Sequence, residues 1–202
     1  MYDSTNPFDI PIGAPMVAGY VDGLYKWSDA GWQRFPEAIW VRIAVFASTN
    51  DGQVLDVENG DATPAQAPGW AKMRLAAGQI PTLYFSLSLF GDVNKAMTDA
   101  GVKTWGVWVA DWTGSPFLHS GTYATQYDHP PHSGGHYDLS IVADYWPGVD
   151  PPPTVSPPPP ANVSALDAAR ASWSNFATTV TQTIPQAVGE IAAYAASLGN
   201  DF

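Results

Sequence analysis

From Pro147 to Pro160, 8 of 14 residues are proline. Each proline lacks a backbone N–H and fixes φ, so this stretch can form neither a helix nor an interior strand. It reads as a polyproline spacer reaching about 40 Å at ~3.1 Å per residue. Before it lie 22 of the 26 aromatic residues; after it come 42 residues with 11 alanines and four charges. Two kinds of structure are therefore expected: a globular domain over residues 1–148 and, beyond a Pro-rich linker at 149–160, a separate segment at 161–202. At about 100–200 residues per domain, the first part holds one core.

Within that part, short apolar runs alternate with amphipathic stretches. Strands are expected at Val17–Asp22, Trp40–Phe46, Gln53–Glu58, Pro81–Ser86 and Thr104–Asp111, from their length and their β-branched and aromatic content. Helices are expected at Asp29–Phe35, at Pro68–Ala77 with Pro68 as first residue and Gly78 just past the end, and at Asp92–Ala100. Two further strands, Tyr123–Tyr127 and Tyr137–Val142, flank a loop rich in His, Gly and Pro. Strand and helix in alternation imply a mainly parallel α/β sheet or barrel.

Charge and composition exclude several functions. A net charge of −11, from 8 Lys plus Arg against 19 Asp plus Glu, speaks against nucleic acid as a partner, since phosphate binding needs clustered cations. The absence of cysteine removes disulfides, thiolate nucleophiles and zinc ribbons together. No signal peptide is visible in Met1–Pro7, and no run of 18 apolar residues marks a membrane span. Neither a Gly-x-Ser-x-Gly elbow nor a phosphate-binding glycine loop occurs.

What remains is carboxylate chemistry. Asp56 and Glu58 end an apolar strand two residues apart, so both point to one face, roughly 6–7 Å apart at Cβ. In parallel α/β folds the active site lies at that end of the strands. Asp22 and Asp138 each interrupt another apolar run, so up to four carboxylates converge on one mouth. Crowded carboxylates raise one another's pKa, which keeps a general acid protonated near neutral pH.

Asp22, the Asp56-Val57-Glu58 pair, Tyr84, the Trp108–Trp112 run with Asp111, Gln126-Tyr127 and the closing Asp138-Leu139-Ser140 follow one another in an order that resembles the motif string of family 25 glycoside hydrolases. It is also similar to the related glycoside-hydrolase-like domains of actinobacteria and their phages. The resemblance covers about residues 16–148. It implies a TIM-like (β/α) barrel that cleaves the β-1,4 bond between N-acetylmuramic acid and N-acetylglucosamine in peptidoglycan. By the same resemblance Glu58 is the general acid, Asp138 and Asp56 stabilise the oxocarbenium-like transition state or orient water, and Asp22, on the first strand, binds substrate. Only 33 residues separate Asp22 from Asp56, room for one helix and one strand, so the barrel is expected to be truncated. Ser140 stands where the family usually has Asn, and Trp112 where it usually has Tyr.

Tyr84, Asp111, Trp112, Gln126, Tyr127 and Trp146 complete the expected site as substrate-binding residues, with Trp112 and Trp146 as sugar-stacking platforms and Trp105 and Trp108 as core. No cofactor is expected, and no metal, since nothing sets His129, His132 and His136 on one face. The expected function is a muramidase-like hydrolase of a phage virion or lysis system, virion-associated or extracellular. The alternative is a weakly active or inactive glycan-binding virion protein on the same fold. In residues 161–202, Ser164 and Asp167 open an amphipathic helix whose apolar stripe runs from Leu166 through Trp173, Phe176 and Val180 to Leu198, interrupted at Pro185. That stripe is expected to pack on copies of itself or on another virion protein; the bacterial cell-wall glycan is the expected partner of the barrel.

Overall fold

The computed structural model describes residues 1–151. The expected helix at 161–202, its interruption at Pro185 and nearly all of the linker lie outside the described residues. Residues 1–151 fold into a closed barrel of eight strands in sequence order. These are β1 (Tyr2–Asp3), β2 (Met16–Tyr20), β3 (Ile39–Ala44), β4 (Val54–Asp56), β5 (Thr82–Ser86), β6 (Gly106–Ala110), β7 (Ala124–Asp128) and β8 (Asp138–Val142). Strands β1 to β7 run parallel, while β8 is antiparallel to both neighbours and closes the ring by pairing Asp138 with Asp3.

The barrel corrects the sequence-based expectation on one point. It is closed rather than truncated, because a two-residue strand ahead of Asp22 supplies the missing stave. It is mainly parallel as expected, but mixed, because the last strand runs antiparallel to both neighbours. Three α-helices cover it among the described residues, α1 (Asp29–Gln33), α2 (Ala67–Ala76) and α3 (Phe90–Asp99).

The helices follow local rules. Ser28 caps α1 by accepting from Gly31 N at 3.3 Å. Pro68 lies in the first turn of α2, and Gly78 beyond its end adopts φ +77°, as does Gly101 after α3 at φ +69°. Trp70 and Ala71 of α2 and Val93 and Met97 of α3 are buried against the outer wall. They join Val17, Leu55, Leu83, Phe85 and Val109 in an apolar layer between strands and helices.

Alternate residues of the same strands face inward. Ala18, Val41, Ile43, Val54, Tyr84, Trp108 and Ala124 form a second core inside the barrel, as an eight-stranded barrel requires its lumen to be filled by side chains. The floor, at the N-terminal ends of the parallel strands, is plugged by Trp146. Its ring is fully buried, lies 6.0 Å from Trp108, and donates Nε1–H to Thr82 Oγ1 at 2.8 Å. Gly106 is required here, since a Cβ would stand 2.1 Å from the Tyr123 ring.

Candidate active site

Register decides which side chains reach the mouth. Asp3 pairs with Ala18 and with Asp138, Asp56 pairs with Tyr84, and Gln126 pairs with Ser140 and Ala110. In-register neighbours share a face, so Asp3, Asp56, Tyr84, Gln126 and Asp138 all point into the lumen with Ala18 and Ala110. Asp3 and Asp56 lie at the C-terminal ends of β1 and β4. Asp138 begins its strand, and the antiparallel direction of β8 brings that beginning to the same mouth.

Gln126 ties the group together. Its Oε1 accepts from Tyr84 OH at 2.9 Å and from Trp112 Nε1 at 2.7 Å. Its amide nitrogen therefore faces the acids, donating to Asp3 Oδ1 at 3.0 Å and to Asp138 Oδ2 at 3.4 Å. Asp3 Oδ2 is buried with no hydrogen-bond partner. The two carboxyls act on each other, and Asp3, the more buried, holds its proton the more firmly. Burial first and the charge of Asp138 second push Asp3 well above the ordinary carboxyl range. Burial likewise raises Asp138, to about 6, against the lowering effects of His129 and the hydrogen bond with Asp3.

Asp56 is 3 % exposed, and its Oδ1 has no hydrogen-bond partner. Burial, then Glu58, Asp61 and Asp3, push it well above its usual value. Glu58, two residues on and half-buried, is raised by burial, Asp61 and Asp138 in that order. Tyr20 and Tyr84 border these acids and are pushed far up by burial and by the carboxylates, so both remain neutral phenols. The mouth thus holds protons that isolated carboxyls would have released, together with two neutral phenols, of which Tyr84 donates its proton to Gln126.

The other expected site residues divide. Trp112 is 57 % exposed at the rim, anchored by its indole N–H on Gln126, with the His129 ring tilted against it at 4.7 Å. Asp111 instead turns to His119, with His119 Nε2 2.8 Å from its Oδ2, and so holds the loop between β6 and β7. Tyr127 lies at a bulge of β7 beside Asp128 and the outward-facing Tyr2, away from the carboxyl cluster. Trp146 is no platform: it is the floor plug, at the opposite end of the barrel from the acids. Among the described residues, no three His, Cys, Asp or Glu side chains are placed to hold a metal ion, and no helix is long and apolar enough to cross a membrane.

Asp22 needs a correction of place. It follows β2, not the first strand, and its carboxylate is spent on the chain itself: Oδ1 accepts from Val45 N at 2.7 Å, and Oδ2 accepts from Phe46 N and Thr49 Oγ1. It fixes the loop between β3 and β4 and has no hydrogen bond to the acid cluster. The residue that sequence reasoning missed is Asp3. Its one signal was an acid placed directly before the first turn, in a strand of two residues too short to show a period. Comparison with protein-family models, curated proteins and solved structures finds no match for this chain.

Proposed function

We propose that residues 1–148 are a TIM-like (β/α) barrel with peptidoglycan-directed, muramidase-like glycoside hydrolase activity, serving a phage virion or lysis system. The observation that carries this reading is the set of proton-retaining carboxyls gathered at one mouth, where Glu58 and Asp138 are both raised and both half-buried. Glycoside hydrolysis needs one carboxyl that arrives protonated and another that is ionised. Glu58 gives its proton to the leaving glycosidic oxygen. Asp138, ionised above about pH 6, faces the cationic transition state or takes a proton from the attacking water. Asp56, kept neutral by burial, donates a hydrogen bond to the sugar or to that water, while Asp3 stays beneath the cluster. Asp3 takes over the first-strand position that the family resemblance had given to Asp22.

Trp112 at the rim supplies a face for a pyranose ring. The same exposed ring supports a second reading, a glycan-binding virion protein that does not hydrolyse its ligand. In both readings the partner is cell-wall glycan, and residues 161–202 attach the barrel to copies of the chain or to another virion protein. Release of reducing sugar from purified peptidoglycan separates the two. Under the hydrolase reading Glu58→Gln lowers the rate at least about a hundredfold, the loss typical of a positioned general acid. A wild-type chain that binds peptidoglycan and releases nothing leaves the binder.

A further inference from the structure

A pocket of about 310 Å³ opens at the mouth beside the acid cluster, between the segments that follow β1, β2, β3 and β4. Tyr25 and Leu24 form its apolar wall, 53 % and 88 % exposed. Asn59, Asp61 and Thr5 bring its polar groups. Asp22 also borders it, but its oxygens are already taken by Val45, Phe46 and Thr49. No Lys or Arg lines the pocket. Around the ring of eight strands, the segments after β2 and β3 lie across the mouth from those after β6 and β7, which carry Trp112 and His129. Two aromatic faces therefore flank the carboxyls, on opposite sides.

We infer that this pocket is a distinct sugar subsite, filled by one uncharged hexosamine ring stacked on Tyr25, so that the ligand is an oligosaccharide spanning from Tyr25 across the acids to Trp112. The inference rests on the proposed glycan-directed reading and adds which kind of ring is admitted where. The volume is at the lower end for small-ligand pockets and suits one pyranose rather than several. A sugar carboxylate entering it would meet Asp61 with no cation to pair with, so acidic rings are turned away and neutral ones accepted.

Calorimetric titration of the full chain carrying Glu58→Gln, which slows consumption of the ligand, tests this with two probes. One is the β-1,4 tetramer of N-acetylglucosamine; the other is the same tetramer oxidised to carboxylates at C6. The neutral tetramer is expected to bind roughly tenfold or more tighter than the acidic one, Tyr25→Ala to weaken it by about tenfold, and Tyr25→Phe to retain it. Asp61→Lys is expected to raise affinity for the acidic tetramer. Equal binding of the two tetramers, no binding of either, or a Tyr25→Ala variant that binds like its parent overturns the subsite. If the wild-type chain leaves peptidoglycan intact while Tyr25-dependent binding persists, the hydrolase reading falls and the subsite stands. Hydrolysis with Tyr25-independent binding removes the subsite alone.

Discussion

The two ends of the barrel are built from alternate residues of the same strands, yet they satisfy opposite demands. At the floor, Trp146, Trp108 and Thr82 are fully buried, and each indole N–H is paired: Trp146 with Thr82 Oγ1, Trp108 with Ser140 Oγ at 3.1 Å. At the mouth, the same lumen-facing positions carry Asp3 and Asp56, each with a buried carboxyl oxygen that no N–H or O–H donor reaches. One end spends its residues on packing. The other gives up stability to keep chemical groups out of their resting state, a common trade at functional sites.

Substitutions at either end sharpen that contrast or break it. The largest expected effect is at the floor: Trp146→Ala removes a fully buried ring and should destabilise the barrel by about 3–5 kcal/mol in denaturant titrations. Thr82→Val keeps the shape but strips the acceptor from the Trp146 indole, for a loss of about 1–3 kcal/mol by the same measurement. A floor variant that abolished ligand binding while remaining folded would break the division between the two ends.

At the mouth the sign reverses. Asp56 has a folded-state pKa far above its value of about 3.9 in an unfolded chain. Above about pH 4 the unfolded chain releases this proton while the folded barrel retains it, so stability falls as pH rises through that window. Asp3, Glu58 and Asp138, the last raised to about 6, contribute with the same sign. Asp51, held low by Arg42 against its own partial burial, and the Met1 amine, lowered by burial, act oppositely; the Asp51 side chain is half exposed. The melting temperature should therefore be higher at pH 4.5 than at pH 7.5. Asp56→Asn should flatten that slope and add about 1 kcal/mol at pH 7.5. A pH-independent melting temperature would show that the mouth stores no such strain.

Much of this was legible in the sequence, for reasons that differ by element. Strands such as β5 and β6 carry long apolar runs, and α2 is bracketed by Pro68 and Gly78, so their positions follow from pattern and punctuation. Asp56 and Glu58 were recognisable as a pair because a strand's period of two is local information. The direction of β8 was not, since alternation reads the same forwards and backwards. Strand β1 was invisible because two residues have no period, and it is held by register with β2 and β8 rather than by its own sequence. Trp112 and Trp146 are the same residue type near strand ends, and only the closure of the ring decides that one rims the mouth while the other plugs the floor.

The way the chain leaves the barrel has a practical side. Just past the plug, Val149 N and Asp150 N both donate to Trp146 O, and Gly148 packs on the Ile80 carbonyl ahead of β5, so the exit lies at the floor. A bead, a sensor chip or a fused carrier joined directly at residue 151 is therefore attached at the floor of the barrel. That leaves the acid-bearing mouth, at the opposite end of the barrel, clear of the attachment.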